Sequence, residues 1–283
     1  MINKIYAKLR LLKRGWFLKA AGIVYPASVR IQTPRQTLDE IRRVISARMP
    51  GAYLRFGDGE VNILHGLGSM EQNSNAAMSK EMKQSFCLTG PGIIKSLMIH
   101  SDRFGKSEGM GPGTHWNTDE WAERLLSRCF EYFIGEKIYS HAALAYAAVY
   151  DQKYALDFLK FLKSLNPIFV GNGQYQPQLL ERLFGKTVFI PTPPKDAYLN
   201  INQIENQTVQ AIKQRARPFD VVVMALGPTS NILQMRLITK HRLPVFLFDY
   251  GSLLSAFAGN ISRVWMAPEG VSQINWEELL LNV

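Results

Sequence analysis

The sequence predicts an α/β protein: a mostly parallel sheet covered by helices on both faces, preceded by a basic amphipathic arm. Three observations predict it. Four short runs are apolar almost throughout: Ile168-Phe169-Val170, Thr187-Val188-Phe189-Ile190, Val221-Val222-Val223-Met224-Ala225-Leu226 and Val245-Phe246-Leu247-Phe248. Stretches suited to helices, 176–184, 201–215 and 232–241, fall between or beside them. Polar turns with glycine close three of the runs, and Pro191 ends Thr187–Ile190. Continuous apolar strands alternating with helices mark a sheet buried on both faces, because an exposed face would show polar residues at every second position.

The 283 residues are 47% apolar and 11% aromatic, ample for a sizeable core. The net charge of +10 is concentrated at one end. Lys4, Lys8, Arg10, Lys13, Arg14, Lys19, Arg30 and Arg35 all precede the first acidic residue, Asp39. The rest is nearly balanced, which argues against a basic nucleic-acid-binding surface. The domain division expected is a basic amphipathic arm over 1–35 and a single domain over 36–283.

Within the arm, Ile2, Ile5, Leu9, Leu12 and Trp16 are spaced three or four apart and share one helix face. Charge interrupts the segment too often for a transmembrane span, and the uncharged run after Lys19 is too short, with Pro26 inside it, for a secretory signal. A cationic amphipathic helix over 1–24 suits an anionic membrane surface. The competing reading is a helix packed on its own domain or on a second subunit of a homo-oligomer. The two cysteines, Cys87 and Cys129, lie in apolar-rich stretches and read as buried thiols of a reducing cytoplasm.

After the arm, Thr37 with Glu40 three residues on reads as a capping box opening a helix that stops before Pro50-Gly51. Ala52–Phe56 reads as a strand, followed by the turn Gly57-Asp58-Gly59-Glu60 and a helix from Val61. If the strands are parallel, four turns share one edge: Gly57-Asp58-Gly59, Gly171-Asn172-Gly173, Gly227-Pro228-Thr229 and Asp249-Tyr250-Gly251. Ligands of such sheets bind beyond the carboxyl ends of the strands. Glycines there admit close backbone approach, and a helix behind the turn favours an anion. The composite predicts a phosphorylated ligand.

Asp58 and Glu60 are the candidate metal ligands. Two carboxylates one glycine apart can converge on Mg²⁺ or Mn²⁺, which take oxygen ligands and keep positions for substrate phosphates. Arg55, three residues earlier, can pair with a phosphate or hold a carboxylate. On spacing alone, a solvated acidic turn is the competing reading.

The hexamer Arg55-Phe56-Gly57-Asp58-Gly59-Glu60 resembles the signature of the bacterial GT-D type glycosyltransferases. Leu226-Gly227-Pro228-Thr229 matches the family's turn closely. Weaker similarities, in the same order, are Gly68–Asn73, Phe169–Gly173, Pro194–Tyr198 and Phe248–Gly251. Together they span roughly residues 37–260. The resemblance implies a Rossmann-like α/β/α sandwich, a nucleotide-diphosphate sugar donor, a UDP-sugar by preference, and Mn²⁺ or Mg²⁺ on an Asp-x-Glu motif. It implies sugar transfer in bacterial glycan synthesis in the cytoplasm, to a saccharide acceptor; the arm, which is not part of the resemblance, adds a lipid-linked acceptor on the inner membrane face if it binds membrane. A non-catalytic phospholigand module on the same sheet is the alternative.

The expected donor-binding residues are Arg55, Gly57, Gly59, Gly171, Asn172, Lys195, Gly227, Thr229 and Asp249. Arg55 and Glu60 would stabilise charge in catalysis. Asp249 is the first candidate for the acceptor base, ahead of Asp196 and Glu108, with a ribose contact or a helix cap as its competing role. The sequence departs from the family where Ser252 stands in place of a histidine and no carboxylate follows. The glycine-rich stretch 107–116, with His115 and Trp116, reads as an acceptor lid or an ordinary surface loop. His65, His100, His141 and His241 are scattered and read as surface or satisfied core residues.

Overall fold

The structure is a computed structural model; it describes residues 29–106, 118–133, 135–261 and 274–283. The arm over 1–24 and the stretch 107–116 lie outside the described residues.

Seven strands form one sheet in the order β3-β2-β1-β7-β6-β4-β5. They are β1 Gly51–Phe56, β2 Ile93–Leu97, β3 Tyr139–Ser140, β4 Ile168–Asn172, β5 Val188–Thr192, β6 Asp220–Ala225 and β7 Val245–Asp249. Every strand pair is parallel. The helices are α1 Pro34–Ser46, α2 Asp58–Leu64, α3 Ala76–Phe86, α4 Asp119–Ser127, α5 Ala143–Tyr150, α6 Gln152–Ser164, α7 Pro177–Phe184, α8 Ile201–Arg215, α9 Thr229–Arg236, α10 Leu253–Phe257 and α11 Trp276–Leu281.

Side-chain alternation along the strands splits the core in two. Ala52, Leu54 and Phe56 face one layer with Val222, Met224, Ile168 and Val170; helices α2, α3, α4, α8 and α9 cover it. Tyr53, Phe169, Val221, Val223, Phe246 and Phe248 face the other, under α1, α5, α6, α7, α10 and α11. Both faces of β1, β4, β6 and β7 are therefore dry, which is why their sequences carry no polar alternation, while the outermost β5 is partly exposed.

Three local expectations change. The helix before β1 is capped by Thr33, not Thr37: Thr33 Oγ1 accepts from the Gln36 N–H, and the Gln36 side chain accepts from the Thr33 N–H. Pro34 fits the first helical position because it has no N–H to leave unpaired. Thr37 is instead buried, its hydroxyl donating to the Thr33 carbonyl at 2.8 Å. Cys129 is buried as expected, but Cys87 is exposed at the end of α3. Pro191 does not end β5 but sits inside it. β5 is the outermost strand, where a missing N–H leaves no ladder bond broken.

Candidate active site at the carboxyl edge of the sheet

From β1 the chain builds β2 and β3 on one side, then crosses to build β4 to β7 on the other. β1 and β7 are thus neighbours where the winding reverses, the place where doubly wound sheets leave a crevice. Pairing between β1 and β7 runs only to Tyr53 opposite Phe248. Beyond it, Asn231 of α9 substitutes for a strand. Its Oδ1 accepts from the Arg55 N–H at 3.1 Å, and its Nδ2 donates to the Arg55 carbonyl at 2.7 Å. Asn231 is fully buried, so these two bonds satisfy an amide that would otherwise be costly there.

The Arg55 side chain spans the gap. Nη1 donates to Asp249 Oδ1 at 3.3 Å and Nε donates to the His141 carbonyl at 2.5 Å. The guanidinium lies across Gly251, whose φ of +64° favours glycine, and a Cβ there would overlap Nη1. Burial alone would loosen Arg55's proton, but Asp249, Tyr53 and Glu60 more than offset it and raise its pKa. Burial pushes the Asp249 carboxyl up to about 6, against the pull of Arg55.

Asp58 and Glu60 stand in the first turn of α2 rather than in a free turn before it. Glu60 Oε2 accepts from the Gly57 N–H at 2.7 Å, and Asp58 Oδ1 from the Gly59 N–H at 2.9 Å. Asp58 is exposed. Burial raises the Glu60 carboxyl to about 7. A Cβ on Gly57 would lie 3.2 Å from Glu60 Oε2 and 3.3 Å from His141 Nε2. The histidine and the carboxylate therefore flank the same bare backbone. His141 follows β3, and its carbonyl accepts from Tyr53 Oη at 2.9 Å as well as from Arg55. Burial, then Arg55 and His100, hold its imidazole well below the usual histidine range, so it is neutral.

A third group closes the edge. Gly227 has φ +58°, and a Cβ on it would collide with Glu71 Oε2. Glu71 is carried by a loop tied down by Gln72. Gln72 Oε1 accepts from Thr229 Oγ1 at 3.0 Å and from the Tyr198 N–H at 3.1 Å, while Nε2 donates to Asp196 Oδ1 at 3.1 Å. Asp196 also accepts from the Asn73 N–H at 2.7 Å.

The structure thus gathers Arg55, Gly57, Glu60, Asp249 and Gly251 at the β1–β7 junction, with Asp58 beside them on α2. Gly59 touches the neighbouring turn, a Cβ there lying 3.3 Å from Ser69 and 3.7 Å from Pro228. Gly171, Asn172 and Lys195 lie farther along the edge, three strands or more from β1 at about 5 Å per strand. Gly171 is bare because Phe169 needs the space: a Cβ would come within 2.6 Å of its ring. Asn172 Oδ1 accepts from the Gln174 N–H at 3.0 Å, and Thr229 spends its hydroxyl on Gln72. Asp196 serves the loop tie.

The histidines separate. His100 is buried against Ser140 Oγ at 2.9 Å, His241 meets Glu205 and His65 meets the Arg128 carbonyl. His141 departs from the expectation of a surface or core residue, since it borders Gly57. His141, Asn231 and Glu71 are the site neighbours that sequence reasoning missed. Only Glu71 and Asn231 carried a local signal, lying beside Gln72 and two residues after the Gly227-Pro228-Thr229 turn.

The family model of the glycosyltransferase GT-D fold matches residues 53–252, from β1 through the Asp249–Gly251 turn. The chain belongs to that family. Solved GT-D-like structures resemble this chain. One is the conserved domain of unknown function 1792, described as a distinct glycosyltransferase fold, with a TM-score of 0.61, 18% identity, and 82% of this chain and 81% of that chain covered. Another is a glycosyltransferase of the same domain class from Streptococcus sanguinis, at TM-score 0.58 and 18% identity, covering 82% and 84%. No curated protein matches the chain. The GT-D family places this enzyme among glycosyltransferases, and the solved structures resemble it at the level of the fold.

Proposed function

We propose that this GT-D enzyme moves a sugar from a nucleotide-diphosphate sugar, a UDP-sugar by preference, to a saccharide or lipid-linked acceptor with the help of Mn²⁺ or Mg²⁺. The observation that carries the reading is the Arg55–Asp249 pair beside Asp58 and Glu60, at the strand reversal of a family sheet.

The residues present fit a divalent ion of the kind that relies on substrate phosphates. Among the described residues no three acidic, histidine or cysteine side chains converge on one point. Mg²⁺ is commonly held by one or two carboxylates plus phosphate oxygens and water. Asp58 and Glu60 would hold it, Glu60 oriented by the Gly57 N–H and Asp58 by the Gly59 N–H. Such an ion would neutralise the charge that grows on the departing diphosphate.

The chain's own groups do the rest. As the glycosyl–phosphate bond breaks, its electron pair leaves with the diphosphate, and Arg55 supplies a fixed positive charge at that edge. The acceptor oxygen bonds the anomeric carbon and gives up its proton. Asp249, with a carboxyl pushed up to about 6, is suited to take it near neutral pH. Gly57 would let the donor approach backbone, and Gly59, Asn172 and Lys195 stand along the edge on which it would extend; Gly171, Gly227 and the buried Thr229 would shape that edge rather than touch the donor, because Phe169, Glu71 and Gln72 occupy the space beside them.

The arm over 1–24 would bring the enzyme to an anionic inner membrane face. Among the described residues no helix is long and apolar enough to cross a membrane. Deleting the arm should abolish binding to anionic vesicles; unchanged binding removes that part. For the donor, thermal shift with UDP should need Mn²⁺, and sugar-nucleotide turnover read by mass spectrometry should identify the sugar. Equal stabilisation by UDP in EDTA refutes the metal bridge.

A further inference from the structure

Arg128 caps the end of α4 and lies along one face of α2. Two contacts pin it there. Its carbonyl meets His65 Nε2 at 3.0 Å, and its Nη2 donates to Asn62 Oδ1 at 2.8 Å. Asp58, Asn62 and His65 are spaced four and three apart, so they form one row along α2. The guanidinium therefore sits beside the row that begins with Asp58, the exposed carboxylate of the candidate site.

Its charge is poorly answered. Nε is enclosed and has no hydrogen-bond partner among the described residues. Asn62 provides a neutral acceptor only. Among the described residues no carboxylate comes within ion-pair distance of Arg128, and Asp58 acts on it only at longer range. Burial lowers its pKa accordingly. The buried arginines elsewhere are treated differently. Arg55 has Asp249, Arg215 has Asp220, and Arg236 has both Glu81 and Glu205. A half-buried guanidinium answered only by a neutral amide thus stands beside the helix whose first residue is the exposed Asp58.

We infer that Arg128 is a phosphoryl-binding residue of this enzyme, completing on the α2 side the anion site that Arg55 begins at the β1–β7 junction. With Nη2 on Asn62 and Nε enclosed, Nη1 is the donor that no described residue engages, and a phosphate, which favours a charge-assisted bond from arginine, is what a cation on Asp58 would bring to that side of α2. The phosphoryl group could belong to the donor's diphosphate or to a phosphorylated acceptor; the chemistry of recognition is the same. This inference rests on the glycosyl-transfer reading only for the identity of the phosphate carrier.

The test is calorimetric binding at fixed free Mg²⁺, using the full chain, Arg128→Gln and Arg128→Lys. Inorganic pyrophosphate is the base-free probe, UDP the nucleotide, and inorganic phosphate is titrated onto UDP-saturated protein. Loss of one charge-assisted contact weakens binding about 10- to 100-fold. A loss of that size for pyrophosphate and UDP in Arg128→Gln, with part of it restored in Arg128→Lys, supports a donor phosphate. Unchanged pyrophosphate and UDP, with phosphate binding to the UDP complex lost in Arg128→Gln, supports an acceptor phosphate. If all three probes bind Arg128→Gln as they bind the full chain, or the full chain binds none of them, the inference is overturned. Should Arg128→Gln fail to fold, Arg128→Lys decides: unchanged affinity for every probe despite the lost Nε and fork geometry refutes it. Arg128-dependent pyrophosphate binding without turnover of any sugar nucleotide would instead defeat the glycosyl-transfer reading and leave this one standing.

Discussion

Arg55 Nη1 meets Asp249 Oδ1 at 3.3 Å across the junction of β1 and β7, with the two side chains only 11% and 6% exposed. Removing one partner of a buried pair strands the other. Arg55→Ala should therefore cost roughly 3–5 kcal/mol of stability. The double variant Arg55→Ala/Asp249→Asn should cost less than the sum of its parts, because the stranded carboxylate is gone. Chemical denaturation of the four proteins checks this; additive losses would show that the pair is not coupled.

Asp249 also gives a pH signature. Its folded pKa, about 6, lies above the ordinary carboxyl value, so the folded state holds its proton more tightly than the unfolded chain does. The stability it contributes is complete below about pH 4 and is lost as the pH rises through 6. Melting temperature followed from pH 4 to 7.5 should fall more steeply in the parent than in Asp249→Asn. Parallel curves would rule the effect out.

Gly251 and Gly259 make a matched pair. Both have positive φ, +64° and +81°, but only Gly251 has Arg55 lying where a Cβ would go, while Gly259 has nothing within 4 Å. Gly259→Ala should cost about 1 kcal/mol for backbone strain alone. Gly251→Ala should cost more than about 2 kcal/mol and reduce nucleotide binding, because the guanidinium must move. Equal losses would mean Arg55 shifts freely.

Asp58 is exposed, so Asp58→Asn should change stability by less than about 0.5 kcal/mol. It should nevertheless abolish metal-dependent stabilisation by UDP in a thermal-shift assay. Retention of that stabilisation would remove Asp58 from the proposed metal site.

Gln72→Ala should act at a distance. Its amide joins Thr229, Tyr198 and Asp196, none of which neighbours it in sequence. Without it the buried Thr229 hydroxyl loses its acceptor, a cost of about 1–3 kcal/mol. Hydrogen exchange over 66–75 and 193–200 should quicken together; quickening of one segment alone would show that Gln72 does not join them.

The layered fold was legible because dry strands have a compositional mark. Val221–Met224 and Val245–Phe248 can be read from their apolar runs alone. β2 went unassigned because Lys95 and Ser96 break its run. In the fold, the buried Lys95 ammonium donates to the Phe86 and Tyr132 carbonyls and pairs with Glu136 at 2.9 Å. No local pattern announces such a set of partners. Strand β3 has two residues and leaves no periodicity to find. Arg55, Asp58, Glu60 and Asp249 stood out because their signal is local: charged residues beside glycine at strand ends. His141 and Asn231 reach the same place through contacts 86 and 176 positions away from Arg55, and only the folded chain brings them there.

Pro191 in β5 has a further meaning at the level of assembly. An outer strand with a full row of N–H groups invites another chain to add to the sheet. Pro191 interrupts that row on one side. On the other, the two-residue β3 is overlain by the Ile31–Ile138 bridge, with the Gln32 N–H donating to the Ile138 carbonyl at 2.8 Å. Among the described residues both borders of the sheet are thus interrupted, which disfavours a second copy of the chain lengthening the sheet into a fibre over one that meets it through helices and loops.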